Sequence, residues 1–480
     1  MTVELRDYQQ RAIDDMRAAL AEHDSILFRG PTGCGKTVIA SYMAQRSVAR
    51  DRKIIFGVHR IELATQTAKT FDQFGIKYSY IAAGFGYNPF AKAYIASADT
   101  LRNRPELLKG CKLFVPDESH LWASKTRSAL IASAKAEGAK IVGLSATPQR
   151  LDGKPLDMFD ALVEGPSEGW LIANGHLSDY RAYAPTRPDL SGLHTQAGDY
   201  VVGEVEDRFD KPAIHGDAIA SWRKYAAGKR TMVFAISRKH GAHVTDAYNA
   251  AGIPAVYIDG TTSKCDRLDR IERFADGRAL ILVSIALCIE GFDLSAQVGR
   301  DVPVEAVQLL NPTKSLPRAR QMMGRALRPK PEPAIILDHV NIIMNADGTV
   351  NHGFPDDEHE WSLAGREGKR QEGVPDFRIK NCASCFGVYP ASKPRCPSCA
   401  SEGVVKERKV EEIEGELEEI RRKEQARRTM RSSRDLDSVA RVAVERGYKP
   451  AWIAQRMKVI GKPVSFSKAM EAYADARSAA

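Results

Sequence analysis

The chain has 480 residues, 43% of them hydrophobic, enough for about three structural units at ~150 residues each, which excludes a wholly disordered protein. The 70 lysines and arginines exceed the 61 acids by 9, a balance that favours a polyanionic partner without specifying one. No apolar run is long enough to span a bilayer and the opening residues lack the apolar core of a secretory signal, so a soluble cytoplasmic protein with no membrane partner is expected.

Leu5-Arg6-Asp7-Tyr8-Gln9-Gln10 leads into a helical pattern, and Gln9 carries both a donor and an acceptor suited to an adenine edge. The apolar run Ile26-Leu27-Phe28 then enters Gly30-Pro31-Thr32-Gly33-Cys34-Gly35-Lys36-Thr37, a full G-x-x-x-x-G-K-[ST] match followed by helix-like Val38-Ile39-Ala40. Strand, glycine loop and helix in that order make a phosphate cradle: backbone N–H groups point at the anion, Lys36 reaches the β/γ-phosphates and Thr37 holds Mg²⁺.

Further strands are predicted at 53–58, 93–97, 112–115 and 140–144, alternating with helices, which argues a parallel α/β sheet with ligands beyond the strand C-termini. Arg60, Thr100, Asp117 and Glu118 all follow strand ends and are expected to share a face with Lys36. There Asp117 suits a Mg²⁺ ligand and Glu118 the base that orients the attacking water. Gly and Pro punctuate 158–215, which reads as a link with an insertion, and His194 and His215 read as loop histidines. Alternation resumes from Thr231 without a second phosphate loop and ends in Gln321-Met322-Met323-Gly324-Arg325-Ala326-Leu327-Arg328. Helical spacing puts Gln321, Arg325 and Arg328 on one face, and paired guanidiniums suit a phosphate.

Cys382, Cys385, Cys396 and Cys399 form C-x₂-C-x₁₀-C-x₂-C. Four thiolates in two knuckles match a structural Zn²⁺; two disulfides are the alternative, disfavoured in a reducing compartment. Residues 405–434 are nearly all charge, acidic then basic, and read as a solvated helix or a nucleic-acid arm before a small helical module.

Gln9, the glycine loop, Asp117-Glu118-Ser119-His120, Ser145-Ala146-Thr147, 285–293 and QMMGRALR together resemble the Q, I, II, III, V and VI motifs of superfamily-2 helicases and translocases. Ser119 stands where alanine or cysteine is commoner, and Pro116 precedes the acids; neither touches a group with a chemical role. The resemblance implies an α/β fold of two tandem RecA-like parallel-sheet domains with ATP and Mg²⁺ between them. Lys36, Asp117, Glu118, Gln321, Arg325 and Arg328 would be catalytic, with Arg6, Gln9, residues 30–37, Gly291 and Asp293 holding the nucleotide. Arg60, Thr100 and Ser284 would face nucleic acid, and Ser145, Ala146 and Thr147 would couple hydrolysis to movement.

Most of the chain is similar to RadD-like bacterial and phage helicases, through Asn311-Pro312-Thr313-Lys314-Ser315-Leu316, Ile335-Ile336-Leu337-Asp338-His339, the four-cysteine ribbon and Gly447-Tyr448-Lys449-Pro450-Ala451-Trp452. The expected layout is a first RecA-like domain at 1–157, crossover at 158–215, second RecA-like domain at 216–345, linker and zinc ribbon at 346–404, and charged helix with helical tail at 405–480. The resemblance implies ATP-driven work on single-stranded or branched DNA in repair or replication, with RNA left open. A restriction-system motor, or a binding or annealing protein merely switched by ATP, are the other readings.

Overall fold

The computed structural model describes residues 4–150, 153–184, 188–196, 198–285, 294–345, 349–365, 379–381, 388–390, 395, 418–419, 435–445, 450–459, 462 and 464–478. They fall into two compact units, the first built on residues 1–346 and 351–370, the second including 371–409 and 418–480.

In the first unit, β1 (Ser25–Arg29), β2 (Lys53–Val58), β3 (Tyr78–Ile81), β4 (Ala93–Ser97), β5 (Cys111–Pro116), β6 (Lys140–Ser145) and β7 (Ala161–Glu164) form a sheet in the order β3-β4-β2-β5-β6-β1-β7. All its pairings are parallel. Its central strands are near-continuous apolar runs because helices cover both faces. Alternate side chains divide accordingly: Ile26, Phe28, Ile54 and Phe56 join one core, and Leu27, Ile55, Phe114 and Ile141 the other.

The same unit holds a second parallel sheet. It is built from β8 (Tyr180–Ala184), then, after the two-residue hairpin strands β9 (Thr195–Gln196) and β10 (Asp199–Tyr200), from β11 (Thr231–Phe234), β12 (Ala255–Ile258), β13 (Ile281–Ser284), β14 (Ala306–Leu309) and β15 (Ala334–Asp338). The order is β12-β13-β11-β14-β15-β8, and again the pairings are parallel.

Two departures from the sequence reading fall in 158–215. That interval, expected to be a link with an insertion, gives a strand to each sheet, β7 beside β1 and β8 beside β15. His215 is no loop histidine: it is buried in the helix Pro212–Tyr225, its ring 5.4 Å from that of His240.

In the second unit, strands Ile379–Asn381 and Val388–Pro390 pair antiparallel. Helices Leu436–Glu445, Pro450–Val459 and Phe466–Ser478 bury Val439, Ala440, Ile453, Met457 and Ala469 together. Apart from Glu418–Glu419, the charged stretch 405–434 lies outside the described residues.

Tight packing behind the first sheet is testable at Gly143 in β6, where a Cβ would lie 2.5 Å from Phe159 Cζ and 2.6 Å from Ser119 Oγ. Gly143→Ala is expected to cost about 1–3 kcal/mol of unfolding free energy, read from the denaturant midpoint. An unchanged midpoint would mean that Phe159 has room to yield.

Candidate active site

β1 delivers the chain into the glycine loop, and the helix Lys36–Val48 leaves it. Gly33 and Gly35 have φ of +88° and +87°, the left-handed backbone that turns successive amides toward one point. At Gly35 a Cβ would sit 2.4 Å from Gln9 Nε2, so any side chain there would displace the Gln9 amide. Lys36 Nζ donates to the Gly30 carbonyl at 3.0 Å, an internal acceptor it can exchange for a phosphate oxygen.

The loop is braced from the helix Asp7–Glu22. Tyr8 Oη and Gln9 Nε2 both donate to the Cys34 carbonyl, at 3.0 and 3.2 Å, while Gln9 Oε1 accepts from the Arg6 N–H at 3.0 Å. Both ends of the buried Gln9 amide are therefore engaged, one by the loop and one by the start of its own helix. Arg6 is exposed, with Nη1 3.4 Å from His176 Nδ1.

Beyond β5, Asp117 donates its N–H to the Gly57 carbonyl at 2.8 Å, and Glu118 has φ +46°. Left-handed backbone costs a side-chain-bearing residue about 1–2 kcal/mol, so the fold holds Glu118 in a strained pose. Its Oε2 is buried without a hydrogen bond, 3.7 Å from His120 Nδ1. His120 Nδ1 is in turn 3.1 Å from Ser145 Oγ, which donates to the Thr147 carbonyl at 2.8 Å and accepts the Thr147 N–H at 3.1 Å. His120 thus joins the acidic pair to Ser145-Ala146-Thr147. Sequence reasoning gave it no role, although it is the fourth residue of the acidic quartet.

Burial first, and the Glu118 charge second, push the Asp117 carboxyl above the usual carboxylate range, against the pull of Lys36. A divalent cation beside Asp117 and Thr37 would reverse that, so the donor set fits Mg²⁺. Nearby His59, dehydrated by burial, has its pKa pushed down to about 4.

The opposite wall comes from the second sheet. The helix Leu316–Gly324 is capped by Ser315, whose Oγ accepts from Arg318 N–H at 3.2 Å. Its last residue rests on the phosphate loop: a Cβ on Gly324 would be 3.2 Å from Thr32 Cβ. Gln321 and Arg325 are buried beside this contact, and Gln321 Nε2 makes no hydrogen bond.

Arg328 departs from the expected shared face. The α-helix stops at Gly324, Arg325–Leu327 tighten into a 3₁₀ turn, and Arg328 is extended at φ −56°, ψ 145° because Pro329 disfavours helical backbone before it. Its Nη1 donates to Ser295 Oγ at 3.3 Å.

Arg60 and Thr100 are half-buried just past β2 and β4, whereas Ser284, ending β13, is fully buried. Gly291, Asp293 and the four clustered cysteines lie outside the described residues.

Within the interval expected to be a link with an insertion, the 168–178 stretch touches β1, the phosphate loop, the helix Asp7–Glu22 and the arginine segment. Glu168 pairs with Arg29 at 2.5 Å, and Leu177 would meet a Gly33 Cβ at 2.8 Å. Tyr8 packs on Trp170 and His176, at ring distances of 5.8 and 4.8 Å. Ser178 Oγ donates to the Arg328 carbonyl at 2.8 Å.

Away from the seam, Asp210, His215 and His240 bring potential ligand atoms within 4.8 Å of one another. The ring of His240 argues against a metal there: its Nδ1 accepts the Ile236 N–H at 3.2 Å, which leaves the proton on the Nε2 that a metal would need.

Residues 2–150 match the family of the type III restriction enzyme res subunit, and residues 215–330 the helicase conserved C-terminal domain. The chain carries the paired domains of a superfamily-2 helicase. A 51.5 kDa protein of a Lactococcus phage is 29% identical over 399 residues, covering 82% of each chain. A Saccharomyces cerevisiae protein that bears the name ATP-dependent helicase IRC3 as a provisional assignment is 25% identical over 351 residues, covering 68% of this chain and 49% of its own. The chain thus spans about half of that relative.

Among solved structures, a type ISP restriction-modification enzyme, LlaBIII, bound to DNA aligns with TM-score 0.50 and 16% identity over 71% of this chain and 28% of its own, a likeness of fold. This helicase is an ATP-hydrolysing enzyme. No described helix is long and apolar enough to cross a membrane.

The strain on the acids has a measurable sign. A carboxyl whose folded pKa is raised favours the folded state while protonated and loses that contribution as pH rises through the folded value. Asp117→Asn is therefore expected to raise the melting temperature of the Mg²⁺-free, nucleotide-free helicase, by more at pH 8 than at pH 5. An equal shift at both pH values would contradict a destabilising Asp117 charge.

Proposed function

We propose that this helicase is a DNA translocase or unwinding enzyme whose two sheets close on ATP and Mg²⁺ in the seam between the phosphate loop and the arginine segment. The observation that carries the reading is Gly324 against Thr32, since it sets Arg325 one residue from the loop. The bound nucleotide supplies the scissile phosphoanhydride. In this reading the loop amides and Lys36 hold the phosphates, while Thr37 and Asp117 hold the cation. Glu118 takes a proton from water. Gln321 orients that water, and Arg325 and Arg328 offset negative charge developing at the γ-phosphate.

Opening and closing the seam would alternate the grip of Arg60 and Thr100 on one sheet with that of the other sheet. Ser145, Ala146 and Thr147 would report hydrolysis to that grip through His120. Two finer assignments accompany this: membership of the RadD-like group with work on single-stranded or branched DNA, and a Zn²⁺ held by Cys382, Cys385, Cys396 and Cys399. The described hairpin strands at 379–381 and 388–390 flank the first cysteine pair in sequence. The res-subunit match of residues 2–150 favours, as a second reading, the motor of a restriction system.

Lys36→Ala is expected to abolish hydrolysis. Arg325→Ala should lower kcat by about 10³-fold or more with ATP affinity nearly kept. Stimulation of the ATPase by single-stranded DNA should exceed that by RNA and weaken as salt rises, with ATP-dependent strand displacement in parallel. Unaltered turnover in Arg325→Ala, or stimulation by RNA alone, would sink the reading.

A further inference from the structure

Arg29 is the last residue of β1, immediately before the phosphate loop, and Arg320 immediately precedes Gln321 on the opposite wall. Both guanidiniums are buried, and Glu168 stands between them. Its Oε2 accepts from Arg29 Nη2 at 2.5 Å, and its Oε1 is 3.9 Å from Arg320 Nη1. Each arginine is fixed on its far side as well. Arg29 lies over the Trp361 ring, 5.2 Å from its centre, and Arg320 donates to the Pro355 and Asp357 carbonyls. Glu168 itself cannot drift, because it opens the helix Glu168–Ala173 capped by Ser167, whose Oγ accepts from Trp170 N–H at 3.2 Å.

Ten residues on, Ser178 completes the same strut. Its N–H donates to the Leu327 carbonyl at 2.9 Å, its Oγ donates to the Arg328 carbonyl at 2.8 Å, and that Oγ accepts the Lys330 N–H at 3.0 Å. The stretch therefore grips the arginine segment before Gln321 and again after Arg325, while its other contacts hold β1 and the loop.

We propose that residues 168–178 are the positioning element of the ATPase: Glu168, bridging Arg29 and Arg320, sets the distance between the phosphate loop and the arginines that meet the γ-phosphate. This deepens the reading of the seam given above and rests on it. Glu168 touches no nucleotide. Its effect runs through the placement of Arg325 and Arg328, where a displacement near 1 Å costs about 10²-fold in rate. Without its charge, Arg29 and Arg320 lose the carboxylate they share, and the spacing between the walls is no longer fixed.

The test uses the full chain with nucleic acid present, measuring steady-state hydrolysis and binding of a fluorescent non-hydrolysable ATP analogue. Glu168→Gln is expected to lower kcat about 10- to 100-fold while analogue affinity changes by less than about threefold. In an Arg325→Ala, Arg328→Ala background the same substitution should change kcat by no more than about twofold, because both arginines it serves are gone.

Unchanged kcat in Glu168→Gln overturns the proposal. So does a loss of equal size in both backgrounds, or a loss of analogue affinity matching the loss of rate, since each marks general destabilisation. If Glu168→Gln does not fold, Ser178→Ala removes one hydroxyl and should give the same split with about a 3- to 10-fold fall in kcat; normal turnover there overturns the proposal. Normal turnover in Arg325→Ala alone would instead refute the role of the arginines, a separate failure.

Discussion

A turn of backbone amides aimed at one point concentrates positive potential, but it can grip a polyphosphate from one side only. The protein meets that limit with a second wall whose helix ends on the first: Gly324 lies against Thr32, close enough that a Cβ on the glycine would be 3.2 Å from the threonine Cβ. The two parallel sheets bring their loops to this contact, and the segment between the sheets ties the loops together. Cation chemistry enters from both walls, with Lys36 on the loop and Arg325 next to Gly324. A ligand rich in negative charge is the species that both halves recognise at once.

The site carries costs that a folded core would normally avoid. Glu118 sits in left-handed backbone, and its Oε2, Thr147 Oγ1 and Gln321 Nε2 are buried without hydrogen bonds. An unmet buried polar group costs about 1–3 kcal/mol. In the proposed reading such groups are donors and acceptors for a water, a cation and a phosphate. The Asp117 carboxyl, pushed upward by burial and by Glu118, belongs to the same pattern of local instability relieved by ligand.

What could be seen in the sequence was what is local along the chain. The glycine loop, the acidic pair and QMMGRALR are short because each must present several groups from one turn of backbone, so their spacing survives in the string of letters. Three things were hidden. Gly and Pro between 158 and 215 masked two short strands, because β7 and β8 are strands by virtue of neighbours supplied by β1 and β15. Helical spacing misplaced Arg328, since Pro329 acts on the residue before it. The Arg29–Glu168 pair joins residues 139 positions apart, and no periodicity encodes it. His215 shows the same limit: lone in sequence, it is stacked on His240 in space.

A buried carboxylate between two guanidiniums is a poor way to gain stability, because desolvating the three charges offsets most of their attraction. Hydrophobic side chains would join the walls at lower cost, but would let them slide. Charged groups with fixed directions resist sliding, since a small displacement leaves an ion unpaired in a dry place, at a cost of about 3–5 kcal/mol when one partner is removed. Arg29, Glu168 and Arg320 therefore suit a joint that must keep its spacing while the groups beside it gain and lose a triphosphate. Ser178 adds a second point of fixation through hydrogen bonds to the main chain around Arg328. Two points define a direction as well as a distance, which is what a guanidinium needs to meet a phosphoryl group squarely.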